Sequence, residues 1–312
     1  MRTHSSPYHG PDFANIEQNR LNLIPGVSFR NRNDSVQPVP TVLITNTHTR
    51  LRELPASLLA GTKLIIHSNS GYDHFNQERD LWINIPVIIG HEIRAQAVAE
   101  YYLSALFTGL LEMPQHLAWS KSRAWERPLI KDQEVLIFGY GHIGKIIEAT
   151  LKALGARVTV VDPFVSGRPH LEDIADYSKA RIVLACCSLN SSSYHLFNES
   201  FFQWAHPELL FINGARGKLV DEKALRDFLL SHPQAQAFLD VFEEEPFQES
   251  WHHFPQVWKT SHIAGVYSDL DEAIIQIEEK VLRDFTQMGW DDFKTKYSEA
   301  LLQNKWIKGE LI

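Results

Sequence analysis

Val135-Leu-Ile-Phe-Gly139-Tyr-Gly141-His-Ile-Gly144-Lys-Ile-Ile147 passes from an apolar, strand-length run into an apolar-periodic helix through a G-x-G-x-x-G turn. Gly139 permits the tight turn, Gly141 lets the backbone approach a pyrophosphate with no Cβ in the way, and Gly144 allows the helix to pack closely on the strand. The anion then rests on the N–H groups of the first helical turn, where His142, Ile143 and Gly144 stand. The next apolar run, 157–161, ends at Asp162, about twenty residues after the last glycine. An acidic side chain there accepts hydrogen bonds from a ribose diol and repels a 2′-phosphate, so the pattern favours NAD over NADP.

Around this turn the chain alternates. Strand-length runs at 134–138, 157–161, 181–186, 208–212, 235–239 and 257–260, with helical segments between four of them, describe a doubly wound parallel sheet. Upstream lie shorter runs, Gly26-Val-Ser-Phe29, Thr41-Val-Leu-Ile-Thr45, Leu64-Ile-Ile-His67 and Pro86-Val-Ile-Ile-Gly90, while a first strand is reduced to 1–5. Between two of them, 51–59 carries Leu51, Leu54 and Leu58 at helical spacing. Long amphipathic helices are expected at 92–113, stopped by Pro114, and at 269–288. Two such helices flanking one α/β series imply that the chain leaves a first domain, builds a second and returns. The expected architecture is α/β and two-lobed, with a Rossmann doubly wound parallel sheet at 95–285 inserted into a smaller flavodoxin-like α/β substrate domain made of 1–94 and 286–312.

Composition removes other classes. The 312 residues hold 30 Lys+Arg against 38 Asp+Glu, a net charge of −8 without a basic cluster, which argues against nucleic acid and anionic membranes as partners. With 44% hydrophobic and 22% charged residues the chain reads as an ordinary soluble protein of two domains. Its two cysteines, Cys186 and Cys187, are adjacent and cannot frame a disulfide scaffold or a zinc site; they read as small residues of a buried strand. The N-terminal residues lack a signal-peptide core, and a cytoplasmic location is expected. His91-Glu92-Ile-Arg-Ala95 begins like a zinc-protease helix but lacks the second histidine, so no metal is expected.

Three segments after the glycine turn resemble the D-isomer-specific 2-hydroxyacid dehydrogenase family: Phe211-Ile-Asn-Gly-Ala-Arg216-Gly, Leu239-Asp240-Val-Phe-Glu-Glu-Glu245-Pro246 and Lys259-Thr-Ser-His262-Ile-Ala-Gly265. Val98-Ala99-Glu100 and the loop Ser68-Asn-Ser-Gly71-Tyr-Asp73 resemble family features less specifically. The resemblance implies an NAD-dependent oxidoreductase interconverting a small D-2-hydroxy acid and its 2-oxo acid, and a homodimer built on the long apolar helix. It implies cofactor contacts from Ala215 and Asp240, the latter on the nicotinamide side, and substrate contacts from Ser70, Gly71 and Arg216. Two departures stand out. Ser261 replaces the proline usual before the histidine, which is expected to loosen the loop aiming His262, and Cys187-Ser-Leu-Asn190 replaces a Leu-Pro-Leu-Thr-like segment near the cofactor ribose.

Reducing a 2-oxo acid requires a hydride, a proton for the developing alkoxide and a cation for the carboxylate. Histidine ionises near neutrality, which suits His262 as proton donor and acceptor. A neighbouring carboxylate stabilises an imidazolium, and the resemblance gives that part to Glu245. The forked, always charged guanidinium of Arg216 suits bidentate capture of a carboxylate. Read singly, Arg216 could cap a strand end, His262 could be structural, and Tyr72 could be a packed loop aromatic. A rival reading of the whole is an NAD(H)-sensing scaffold that binds a partner with little turnover.

Overall fold

The structure, a computed structural model, describes residues 1–4, 9–31, 42–111, 118–125, 127–247 and 249–312. Ser5, Thr41, Met113, Pro114 and Glu126, which enter the sequence expectations, lie outside the described residues. The chain divides into two compact units, Met1–Arg94 with Val266–Ile312, and Ala95–Gly265, so the second is an insertion in the first.

In the first unit, β1 (Val42–Thr45), β2 (Leu64–His67) and β3 (Val87–Ile89) pair in parallel, in that order. Arg2 bridges Ile44 on one side and Asn31 on the other, both in parallel. The order Asn31, Arg2, β1, β2, β3 is therefore the 2-1-3-4-5 arrangement of a flavodoxin-like sheet. All four residues of β2 are buried, which a sheet covered on both faces requires. Ile44, Leu64, Ile66 and Ile88 face α1 (Phe13–Asn22) and α8 (Leu270–Gln287), while Leu43, Ile65, Val87 and Ile89 face Leu58 and Trp82. Leu58 lies on α2 (Ala56–Gly61) and Trp82 on α3 (Arg79–Trp82). A last helix, α9 (Trp290–Lys296), adds Phe293 to the first of these clusters.

Several expectations for this unit need correction. The run Gly26–Phe29 forms no strand: Gly26 stands in a turn at φ +80, and among the described residues this stretch reaches the sheet only through the bridge at Asn31. The helix expected over 51–59 is split into a 3-10 turn, Leu51–Glu53, and α2, because Pro55 holds Leu54 in extended backbone at φ −86 and ψ 147. The domain boundary expected at residue 285 lies at Gly265 instead. Residues 266–285 belong to the first unit because Ile274, Ile275, Val281 and Leu282 of α8 are buried in its clusters.

The second unit is a six-stranded parallel sheet in the order β5-β4-β6-β7-β8-β9. Its strands are β4 (Glu134–Phe138), β5 (Arg157–Val161), β6 (Ile182–Ala185), β7 (Leu210–Asn213), β8 (Gln236–Leu239) and β9 (Val257–Lys259). Alternate strand residues serve opposite faces. Leu136, Phe138, Val183 and Phe211 pack with Phe201 and Phe202 of α6 (Glu199–Gln203) and with Leu225 and Phe228 of α7 (Glu222–Ser231). Val135, Ile137, Ile182 and Ile212 pack with α4 (Ala95–Leu111) and α5 (His142–Ala153). From β4 the chain steps outward to β5 and then back to β6 on the other side, so the switch point of the sheet lies beside the end of β4.

Candidate active site

Gly139 follows β4 with φ +103, a left-handed conformation that glycine adopts without strain, and a Cβ there would lie 2.7 Å from the Cys187 backbone. At Gly144 a Cβ would run into the Gly139 carbonyl oxygen, so helix and turn touch only because residue 144 is glycine. A Cβ on Gly141, the residue capping α5, would meet nothing within 4 Å. The turn is thus closed against the protein at its first and third glycines and open at its second, as a backbone surface for a pyrophosphate must be. The first amide of α5 bonded within the helix is Lys145, to Gly141 O at 3.0 Å. The earlier amides of His142, Ile143 and Gly144 lie in the turn that supplies anion donors. Asp162 ends β5 and accepts the Tyr140 N–H at 2.7 Å and the Phe164 N–H at 3.0 Å, which fixes its carboxylate beside the glycine turn. These residues fit a dinucleotide. Cys186 and Cys187 follow β6 with their thiols unpaired, and burial pushes the Cys187 thiol up to about 12.

Arg216 stands in the turn after β7, half-buried, with Nη1 on the Ala215 carbonyl at 2.6 Å. Asn213 shapes that turn: its Oδ1 accepts the Ala215 N–H at 3.1 Å and its Nδ2 donates to the Arg216 carbonyl at 2.9 Å. Behind it the fully buried Tyr102 hydroxyl accepts the Gly214 N–H at 2.7 Å and donates to the Ala185 carbonyl, tying β7 to β6. Neither residue was singled out from the sequence. Asn213 is the first member of the quoted Asn-x-x-Arg segment and was legible there; Tyr102 carries no local signal, because its partners come from distant strand ends.

Asp240 follows β8 and is 1% exposed. Its carbonyl accepts the His262 N–H at 2.8 Å, and its carboxylate accepts the N–H groups of Ile263 at 2.7 Å and Ala264 at 2.8 Å. His262 sits in left-handed backbone, φ 56, and its Nδ1 lies 2.9 Å from Glu245 Oε2. Glu245 Oε1 also accepts the Phe242 N–H at 3.3 Å. Burial pushes the Glu245 carboxyl up, yet the hydrogen bond and charge of His262, the Phe242 amide and the Arg216 charge outweigh it and hold the group below the usual carboxylate range. The imidazole and carboxylate remain 49% and 40% exposed, so the pair faces outward from the unit. With Nδ1 donating to Glu245, the imidazole keeps Nε2 for proton transfer.

Ser70 and Gly71 lie in the first unit, in the loop after β2. The loop is held from below. Ser68 Oγ donates to Glu278 of α8, the Ser68 carbonyl accepts Arg94 Nη1 at 3.3 Å, and the Gly71 carbonyl lies 3.0 Å from His67 Nε2. A carbonyl only accepts, so Nε2 carries the proton and Nδ1 accepts from Thr45 Oγ1 at 3.0 Å. Burial pushes His67 down to about 3, which keeps that tautomer neutral. Tyr72 turns its hydroxyl to the Ile312 main-chain oxygen at 2.9 Å.

Residues 104–264 match the family model described as D-isomer specific 2-hydroxyacid dehydrogenase, NAD binding domain. Erythronate-4-phosphate dehydrogenase of Pseudomonas fluorescens strain Pf0-1 is 30% identical over 237 residues, covering 72% of this chain and 57% of that relative's length. Hydroxypyruvate reductase of Thermotoga maritima is 22% identical over 264 residues, 79% of this chain and 85% of the relative. Two solved structures share the fold. The D-isomer specific 2-hydroxyacid dehydrogenase of Xanthobacter autotrophicus Py2, in complex with NADPH and MES, has a TM-score of 0.73 at 22% identity over 92% of this chain and 95% of that one. The D-lactate dehydrogenase of Aquifex aeolicus, complexed with NAD and lactic acid, has a TM-score of 0.71 at 18% identity over 97% and 98%.

Proposed function

Since this chain belongs to the D-isomer specific 2-hydroxyacid dehydrogenases, we propose that it interconverts a small D-2-hydroxy acid and its 2-oxo acid, with His262 as proton donor and acceptor. The observation carrying this reading is the His262 Nδ1 to Glu245 Oε2 contact of 2.9 Å, formed from the segments after β8 and β9. Glu245 accepts the Nδ1–H hydrogen bond, fixes the ring and stabilises its charged form, while the Nε2 proton is delivered to the oxygen of the carbonyl being reduced. Arg216 holds the substrate carboxylate and polarises the adjacent carbonyl. Bound NADH supplies the hydride, and the turn at Gly139, Gly141 and Gly144 with the start of α5 holds its pyrophosphate.

The test is NADH oxidation with glyoxylate, pyruvate and hydroxypyruvate, and NAD reduction with D-lactate and erythronate 4-phosphate. His262→Ala is expected to lower kcat on the best substrate by about a hundredfold or more. A wild-type rate in that variant would show that another group supplies the proton. The placement of Asp162 supports NAD over NADP, and Asp162→Ser is expected to raise the NADPH-supported rate relative to the NADH-supported rate by about tenfold. Assignment of Ser70 to the substrate is tested by Ser70→Ala, for which KM rises and kcat holds. The reading extends to a cytoplasmic homodimer, supported by the apolar residues Leu103, Phe107 and Leu111 along α4 and by two unpaired thiols. Sedimentation that shows only monomer would remove the dimer.

A further inference from the structure

Resting on the reading of His262 as the proton donor, we propose that Tyr101 and Thr260 are positioning residues for it, acting through Asp240. Three consecutive amides, those of His262, Ile263 and Ala264, converge on Asp240, the first on its carbonyl and the next two on its carboxylate oxygens. This convergence accounts for His262 standing at φ 56, a conformation that a residue with a Cβ keeps only when its surroundings over-determine it. The direction of the imidazole toward Glu245 is therefore set by the direction of the Asp240 carboxylate. That carboxylate has a third donor, Thr260 Oγ1, at 2.6 Å from Oδ1.

Tyr101 supplies the far end. Its hydroxyl reaches from α4 to within 2.8 Å of Thr260 Oγ1. A carboxylate only accepts, so the Thr260 proton points to Asp240 and the Thr260 oxygen must accept from Tyr101. Burial pushes the Tyr101 hydroxyl up to about 12, so it keeps its proton and remains a donor. The relay runs Tyr101 O–H to Thr260 O–H to the Asp240 carboxylate, each hydroxyl with one direction open to it. Neither Tyr101 nor Thr260 transfers a proton in the reaction on this account. They hold the turn that carries Ser261 and His262 through the carboxylate on which its amides converge.

The experiment uses the full chain with hydroxypyruvate and glyoxylate as probes and compares wild type, Thr260→Val, Thr260→Ser, Tyr101→Phe and His262→Ala. For each, kcat and KM are measured against pH, NADH affinity by fluorescence, and Tm. Thr260→Val is expected to lower kcat by about tenfold or more and to move the pH at which the rate is half-maximal, with NADH affinity within about twofold. Thr260→Ser restores kcat to within about threefold, and Tyr101→Phe loses about threefold with the same pH displacement. A Thr260→Val enzyme with wild-type kcat and pH profile, beside an inactive His262→Ala, overturns the relay alone. So does a kcat loss that follows Tm while the pH profile stays fixed. Wild-type turnover in His262→Ala instead overturns the functional reading on which the relay rests. If Thr260→Val fails to fold, the pH profile of Tyr101→Phe decides the same question.

Discussion

The two units are both parallel sheets covered on two faces, and each holds an ion pair or cluster of very different exposure. In the inserted unit the His262–Glu245 pair faces outward, at 49% and 40% exposure, where a proton can be exchanged. In the first unit Arg2, Glu17 and Glu278 form an ion cluster with side chains 5%, 0% and 0% exposed. Arg2 Nε bonds both Glu17 oxygens, at 2.7 and 2.8 Å, and Nη2 reaches Glu278 at 2.7 Å. Burial and the nearby Glu278 push the Glu17 carboxyl up in spite of Arg2. The reason for such a cluster lies in the sheet. Arg2 occupies an interior place in the strand order but contributes only a bridge residue, so a short backbone ladder is supplemented by side-chain bonds to α1 and α8. The exposed pair is open to solvent, whereas the buried cluster fastens the Arg2 bridge to two helices.

The largest expected effect follows from that contrast. Arg2→Ala leaves two buried carboxylates on one another and should lower the unfolding free energy by about 3–5 kcal/mol, read by urea titration followed by circular dichroism. Replacing Arg2, Glu17 and Glu278 together with Met or Leu should recover most of it, and a loss below about 1 kcal/mol for Arg2→Ala would erase the difference between the units. Next comes acid. His67 has its folded value depressed to about 3, so below about 6.5 the unfolded chain takes a proton that the folded chain refuses. This group's contribution to stability is therefore lost as pH falls from about 6.5 toward 3, by up to about 1.4 kcal/mol per pH unit, and His67→Gln should flatten that slope.

Smaller effects sharpen the other side. Glu245→Gln should lower kcat by about tenfold, yet change the unfolding free energy by less than about 1 kcal/mol, because an exposed pair contributes little to stability. A stability loss as large as that of Arg2→Ala would mean that the pair is structural. Smallest is Glu148→Gln on α5. Burial pushes the Glu148 carboxyl up, but Arg168 and Lys152 prevail and hold it down at about 2. Calorimetry above pH 5 should show a loss of no more than about 1 kcal/mol for this variant, since Lys152 is exposed and the pairing is near the surface.

Legibility in the sequence divides along the same line. The central strands β4, β6 and β7 could be read because they are buried on both faces and appear as apolar runs, while β5, with Arg157 and Thr159 exposed, was marked by its place between the glycine turn and Asp162. The glycine turn could be read because its chemistry is backbone chemistry, which only one residue type permits. In the first unit α1 escaped notice: its buried residues are Phe13, Glu17 and Leu21, and a buried glutamate breaks the apolar stripe by which a helix is recognised. Glu278 hides in α8 for the same reason. The Asp240 bonds to the residues after Ser261 could not be read locally, because they depend on β8 and β9 being neighbours.

What the sequence by itself determined is local: the periods that make strands and helices, the glycines of the cradle, and the identity of Arg216, Glu245 and His262 as groups able to hold a carboxylate and move a proton. What the tertiary structure alone decided is which of them meet. The sheet order places the ends of β7, β8 and β9 side by side, bringing Glu245 to His262 and three amides to Asp240, and it sets Arg2 between helices more than two hundred residues apart. The physical reason is that a period is a property of neighbours along the chain. The partner of a buried or converging polar group is chosen by closure between distant segments, and no local pattern records that choice.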